Sequence, residues 1–234
     1  MTQKAVCLIS GGIDSATTAH IAKDEGYEIY LLSFKYGQKH KKEIQSAKKI
    51  AEHLGSKKHT IFKLNLDKIL NSSLTDIKKQ IPKTKKIEEI GQDIPTTYVP
   101  ARNTIFLSIA LGYAETLDAD KICIGATSAD YSGYPDCRPE YIKAYQKMAN
   151  LATKKTIQGK KIEIFTPLIN KKKDEIIKIG KKLGVNFENT WSCYQGKNKA
   201  CGKCESCLLR LKGFKKAGLK DPIEYQELPK WYKE

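Results

Sequence analysis

Apolar positions fall into two rhythms that alternate along the chain. Short β-branched runs at 4–10 (KAVCLIS), 28–34 (EIYLLSF), 59–65 (HTIFKLN), 121–127 (KICIGAT) and 162–168 (IEIFTPL) predict strands. Longer stretches at 14–25, 39–54, 103–117, 139–154 and 171–183 predict helices. The pattern is plain in 39–54, where Ile44, Ala47, Ile50, Ala51 and Leu54 form one stripe among lysines. Such alternation implies an α/β fold, a doubly wound parallel sheet with helices on both faces, whose ligands collect at the carboxyl ends of the strands. Residues 72–95 break the rhythm with polar residues and prolines and read as an insertion or mobile loop. After Gly184 the alternation gives way to a cysteine-rich unit, a basic helix near 205–217 and a proline-bounded tail. The expected division is an α/β domain over 1–184 and a small C-terminal unit over 185–234.

Composition narrows the class only modestly. A chain of 234 residues with 40% hydrophobic content fits one domain, or one domain with an appendage. The opening residues MTQKAVCLIS hold a short apolar run that meets a Gly-Gly pair at once, unlike a signal peptide. No segment approaches the roughly 18 apolar residues of a membrane span. A cytosolic protein with no membrane partner is expected. The net charge of +16, from 42 Lys and Arg against 26 Asp and Glu, suits a nucleic-acid binder, a nucleotide binder or neither. Only Arg102, Arg138 and Arg210 are arginine. Where lysine dominates so strongly, a retained planar fork points to bidentate grip of a carboxylate or phosphate, with chance placement as the alternative.

The most specific motif follows the first strand. Ser10-Gly11-Gly12-Ile13-Asp14-Ser15 leads into a helix carrying Ala16, Thr17 and Thr18. Glycines at a strand end let the backbone approach an anion, and the helix presents N–H groups at its positive end. Leu8 and Ile9 at the strand end through Thr18 are thus the expected nucleotide-binding segment. Asp14 would orient the loop or help hold magnesium. No lysine follows the glycines, so this is not the GxxxxGK[ST] loop of ordinary NTPases. It resembles the SGGxDS loop of the ATP pyrophosphatase family, whose members cleave ATP between the α and β phosphates and cradle pyrophosphate.

Four of the seven cysteines, Cys193, Cys201, Cys204 and Cys207, stand in WSCYQGKNKACGKCESC. In a chain expected in the cytosol, thiols argue for metal or catalysis before disulfides. Four thiolates at such spacing can close a tetrahedral zinc site and leave no open position, so a structural metal is expected, and its being one zinc per chain rests partly on the family resemblance given below. A CGKC redox pair and an iron–sulfur cluster are the rival readings.

Two further segments, Thr96–Asn103 (TTYVPARN) and Ala129–Arg138 (ADYSGYPDCR), combine aromatic, carboxylate and amide groups where loops leave the sheet. A purine-like ring needs aromatic stacking and polar partners for its edge, and an acidic substituent needs Arg or Lys. Arg102, Asp130, Tyr131, Tyr134, Asp136 and Arg138 are the candidates for substrate binding or loop order.

These segments, with SFKYGQKH at 33–40, TPLINKKKDEI at 166–176 and the four cysteines, closely resemble the 7-cyano-7-deazaguanine synthases of the queuosine pathway. The likeness runs from the first strand to the helix after Cys207. Ala101 departs from it at a position that is often Gly in these enzymes. The resemblance implies an adenine nucleotide alpha hydrolase-like fold with a zinc-binding helical unit, a homodimer, and ATP with magnesium as co-substrate. It implies ligation of 7-carboxy-7-deazaguanine with ammonia to give a nitrile through adenylated intermediates. Lys173, matching the family's lysine before an acidic residue, would be a phosphate-charge partner and join Asp14 as catalytic. Its alternative is a solvated lysine in a KKK run. Two rivals stand beside this reading: an SGGxDS enzyme that inserts sulfur into tRNA, and a zinc-dependent nucleic-acid-binding regulator. With no RNA-binding module recognisable, nucleic acid is not an expected partner.

Overall fold

The computed structural model describes residues 2–38, 42–70, 72–75, 94–128 and 134–233. Strands β1 (Lys4–Leu8), β2 (Glu28–Lys35), β3 (Lys58–Lys63), β4 (Lys121–Cys123) and β5 (Glu163–Phe165) form one parallel sheet in the order β3-β2-β1-β4-β5. The helices are α1 (Ile13–Asp24), α2 (Lys42–Leu54), α3 (Arg102–Thr116), α4 (Pro139–Ala152), α5 (Lys154–Ile157), α6 (Lys173–Lys182), α7 (Glu205–Ala217) and α8 (Lys230–Lys233). Strand order reverses beside β1, so a crevice opens between the carboxyl ends of β1 and β4.

The period of two in β1 explains the layers. Ala5, Cys7 and Ile9 share one cluster with Ile13 and Ala16 of α1, Ile50 of α2, Ile177 of α6 and Phe214 of α7. Val6 and Leu8 join the other, with Leu107, Ala110 and Leu111 of α3 and Ile142 and Tyr145 of α4. The sheet is covered on both faces, as the alternation of elements implies.

The last two strands are shorter than their apolar runs. Ile124 N still donates to Phe165 O at 3.0 Å, but beyond it the chain leaves the ladder. Ser128 N and Oγ both donate to Ile169 O, and Thr127 Oγ1 donates to Lys171 O. There Gly125 lies against the first turn of α1, where a Cβ would be 2.8 Å from Asp14 C and Ser15 N.

In the expected insertion, residues 76–93 lie outside the described residues, as do 39–41 of the expected second helix. The insertion's ends are tied together, with Ser73 N and Oγ donating to Thr96 O at 2.9 and 3.0 Å.

The chain after Gly184 packs back on the helices beside the sheet. Phe187 meets Phe214 edge to face, centroids 5.3 Å apart, and both belong to the α1-side core. Helix α7 lies close on α6, where a Cβ at Gly213 would meet Lys173 Cγ at 2.4 Å. Arg210 and Asp221, side chains 1% exposed, form an ion pair through Nε–Oδ2 at 2.7 Å and Nη2–Oδ1 at 2.9 Å. Among the described residues no helix is long and apolar enough to cross a membrane.

Candidate active site

A cavity of about 330 Å³ opens at the carboxyl ends of β1, β2 and β4. Its lining includes the loop after β1, the aromatic wall from β2 and α3, the chain after β4, Lys173 of α6 and part of the cysteine-rich unit.

The loop is built from its own hydroxyls. Ser15 Oγ donates to Gly12 O at 3.1 Å and accepts from Ser10 N at 3.2 Å, while Ser10 Oγ lies 3.1 Å from Ser15 Oγ. Gly11 has φ +89°, and a Cβ there would lie 2.4 Å from Glu43 O, so both conformation and space demand glycine. Gly12 caps α1 with no side-chain hydrogen bond, which leaves the first turn's N–H groups for an anion. Leu8, Ile9, Ser10, Gly12, Ile13, Asp14 and Ser15 line the cavity. Ala16, Thr17 and Thr18 are fully buried behind it, and the hydroxyls of Thr17 and Thr18 have no hydrogen-bond partner among the described residues.

Asp14 points at Lys173, whose Nζ lies 2.6 and 2.7 Å from the two carboxylate oxygens. Of the three consecutive lysines only Lys173 lines the cavity; Lys171 pairs with Glu175 across the surface of α6. The stem of Lys173 is held against Gly213, so the ammonium is aimed into the crevice by two helices.

The aromatic wall stacks Phe34 on Phe106, centroids 4.0 Å apart and planes 9° from parallel, with Arg102 over Phe106 and Tyr36. Tyr134 lies 3.1 Å from Thr97 Oγ1 through its hydroxyl and 5.8 Å from the Tyr98 ring. Burial pushes Tyr36 up to about 12 and Cys137 up to about 11, so both are neutral at physiological pH. Burial pushes Glu43 up to about 7, with Arg102 pulling the other way.

Asp136 and Arg138 stand elsewhere. Asp136 is buried, and its Oδ2 accepts from Asn103 N at 2.9 Å while its main-chain oxygen accepts from Asn103 Nδ2, an arrangement that closes the first turn of α3. Arg138 is exposed at the start of α4, its Nε donating to Pro135 O at 3.3 Å. Asp130 and Tyr131 lie outside the described residues. Arg210 lines the cavity, but its guanidinium is engaged by Asp221, Thr190 and Phe187.

Sequence reasoning missed Glu43, Trp191, Tyr194 and Glu205, all of which line the cavity. Trp191 and Tyr194 flank Cys193, an aromatic signal obscured by the cysteine spacing. Glu43 and Glu205 are acidic residues in first helical turns, a placement the helix dipole explains without any ligand. Trp191 N donates to Gly11 O at 2.8 Å, joining the cysteine-rich unit directly to the loop.

Cys193, Cys201, Cys204 and Cys207 are buried, with their sulfurs all within 4.8 Å of one another and Cys201 to Cys207 at 3.9 Å. A tetrahedron with metal–sulfur bonds of about 2.3 Å has edges near 3.8 Å, so the group fits a metal ion. Backbone N–H groups of Gln195 and Cys201 point at Cys193 Sγ, and those of Lys203 and Cys204 at Cys201 Sγ, which suits thiolates.

The family described as "Queuosine biosynthesis protein QueC" matches residues 4–218. A 7-cyano-7-deazaguanine synthase of Citrifermentans bemidjiense is 54% identical over 231 residues, 97% of this chain and 100% of that protein. One of Picrophilus torridus is 53% identical over 232 residues, 98% of this chain and 95% of that protein. Among solved structures, one described as a predicted subunit of tRNA methyltransferase from Methanocaldococcus jannaschii superposes with a TM-score of 0.49 at 17% identity, covering 97% of this chain and 93% of that one.

Proposed function

The chain belongs to the queuosine biosynthesis protein QueC family, and from that membership we propose that it is an ATP-dependent carbon–nitrogen ligase converting 7-carboxy-7-deazaguanine and ammonia to 7-cyano-7-deazaguanine. The observation that carries the reading is one cleft holding both halves of the chemistry. The phosphate loop and Lys173 line one side, and the aromatic wall with Arg102 lines another.

The substrate carboxylate attacks the α phosphate of ATP, releasing pyrophosphate and leaving an acyl adenylate. Ammonia displaces AMP to give an amide. A second ATP adenylates the amide oxygen, and loss of AMP with the remaining N–H protons leaves the nitrile. Negative charge grows on the departing pyrophosphate in each activation, so donors placed in advance are the main catalytic device. Leu8 through Thr18 form that cradle, with Ser10, Gly12, Asp14 and Ser15 at its surface. Lys173 carries the positive charge, and Asp14 holds it in line until phosphates compete for it. Tyr134 offers a face to the ring, and Arg102 suits the carboxylate. Asp136 acts by ordering α3, which carries Arg102. Arg138, Asp130 and Tyr131 belong to the same substrate loop in this reading.

Zinc is the metal we assign to the four thiols; when bound it supplies a rigid crosslink and no chemistry, because four protein ligands close its shell. The facing geometry of those thiols tells against a sulfur-carrier role. Magnesium accompanying ATP, a homodimer and a cytosolic setting without nucleic acid complete the proposal; these rest on the family resemblance. Incubation of the purified protein with ATP, magnesium, ammonium and 7-carboxy-7-deazaguanine, followed by mass spectrometry, tests it. Nitrile appearing with AMP and pyrophosphate supports the reading, and its absence from folded, metal-loaded protein refutes it. Elemental analysis should return one zinc per chain.

A further inference from the structure

The carboxylate of Glu205 has no hydrogen-bond or ion-pair partner among the described residues, yet it lines the cavity and is partly buried. A carboxylate taken out of water without a partner is costly unless something else supplies donors. Its surroundings narrow what that is. Glu205 stands in the first turn of α7, directly after Cys204, which caps that helix. Tyr134 and Tyr194 lie within its electrostatic reach, and both line the same cavity. Glu43, the second acid lining the cavity with no side-chain partner among the described residues, also stands in a first helical turn near a tyrosine, Tyr36, but its other neighbours differ. It feels the charge of Arg102, and its main chain forms the seat for Gly11 of the phosphate loop. Glu43 is thus tied to Gly11 and Arg102, and Glu205 faces the cleft from the cysteine-rich unit.

We infer that Glu205 reads the aminopyrimidinone edge of the deazapurine, its two carboxylate oxygens accepting from the ring N–H and the adjacent exocyclic amine. The inference rests on the function proposed above and adds a specificity-determining residue to it. The geometry of donor and acceptor is the argument. A carboxylate presents two acceptors side by side, a guanine-like edge presents two donors side by side, and flanking tyrosines offer faces for the ring. An adenine ring offers no such donor pair, so the same contact keeps the two purine-like substrates in their separate halves of the cleft. The four-cysteine cluster gains a role here. Cys204 and Cys207 bracket Glu205 in the first turn of α7, so a metal on those thiols sets where the carboxylate points.

The test compares wild type with Glu205→Gln in steady-state kinetics, using 7-carboxy-7-deazaguanine and the analogue lacking the 2-amino group. The wild type should prefer the amino-bearing substrate by about 10- to 100-fold in kcat/KM, the range for losing a hydrogen bond to a charged group. E205Q should raise KM for the deazapurine by a similar factor and lose the preference, with KM for ATP, KM for ammonium and metal content unchanged. A wild type that uses both compounds equally overturns the inference without reference to any variant. So does an E205Q variant with normal KM, or one altered only toward ammonium. Nitrile formation by the wild type is read in the same assay, so failure of the proposed function shows separately as no product at all.

Discussion

Replacing Arg210 by Met removes a buried cation while keeping much of its apolar stem. Arg210 and Asp221 are each 1% exposed, so neither charge has water to fall back on. Three contacts are short: Nε to Asp221 Oδ2 at 2.7 Å, Nη2 to Asp221 Oδ1 at 2.9 Å and Nη1 to Thr190 Oγ1 at 2.8 Å. Without the guanidinium, Asp221 keeps, among the described residues, the Tyr225 hydroxyl at 2.6 Å and the Ile223 N–H at 3.3 Å. Breaking such a pair from one side costs about 3–5 kcal/mol, chiefly because the surviving charge is stranded. For a chain of this size that is a fall in Tm of about 6–20 °C. Urea unfolding of metal-loaded protein measures it. Asp221→Asn should cost less than R210M, since the guanidinium keeps its contacts to Thr190 and Phe187. The double variant Arg210→Met with Asp221→Asn should recover part of the loss, because both charges go together. A cost below about 1 kcal/mol for R210M, or a double variant as unstable as the sum of the singles, would refute the reasoning.

Gly125→Ala should displace the phosphate loop and raise KM for ATP at least tenfold, since its Cβ would meet Asp14 and Ser15 backbone at 2.8 Å, whereas Gly112→Ala, with nothing within 4 Å, should be neutral or stabilising by about 0.5–1 kcal/mol. Equal behaviour of the two in ATP kinetics would contradict the packing. Glu43 sits at about 7 in the folded chain against an ordinary 4.5, so the folded state holds the extra proton between those values and stability falls as pH rises through that window. Glu43→Gln should therefore gain on wild type by about 1–3 kcal/mol between pH 4.5 and 8, read by urea unfolding; a gain that shrinks as pH rises would reverse the sign. Ala101 caps α3 at φ 51°, a left-handed conformation that costs a side chain about 1 kcal/mol. Ala101→Gly should raise the urea midpoint slightly, and a lowered midpoint would show that the strain is absent.

The chain's local pattern settled the parts that depend on neighbours in sequence. Strand and helix alternation gave the doubly wound sheet because side-chain period decides which face an element buries. The helix over 205–217 coincides with α7, and the spacing of Cys193, Cys201, Cys204 and Cys207 foretold the metal-fit cluster, since a few residues of chain can close it. The run Ser10–Ser15 announced its own loop for the same reason. What the tertiary structure alone decided are relations between segments far apart. Lys173 differs from Lys171 and Lys172 only because α6 starts beside Asp14, 159 positions away in sequence, with Gly213 behind it. Arg210 and Arg102 look alike as scarce arginines, yet one is closed off by Asp221 and the other lies over the aromatic wall. Asp136 reads equally as a group for substrate binding or for loop order, and only the packing brings its carboxylate to Asn103 N at the start of α3. Glu205 and Trp191 enter the cleft because the cysteine-rich unit folds back on the phosphate loop through Trp191 N and Gly11 O, a contact across 180 positions that no local rule encodes. Local periodicity fixes faces and turns; only packing decides which faces meet, and so which of several chemically equal side chains stands in the site.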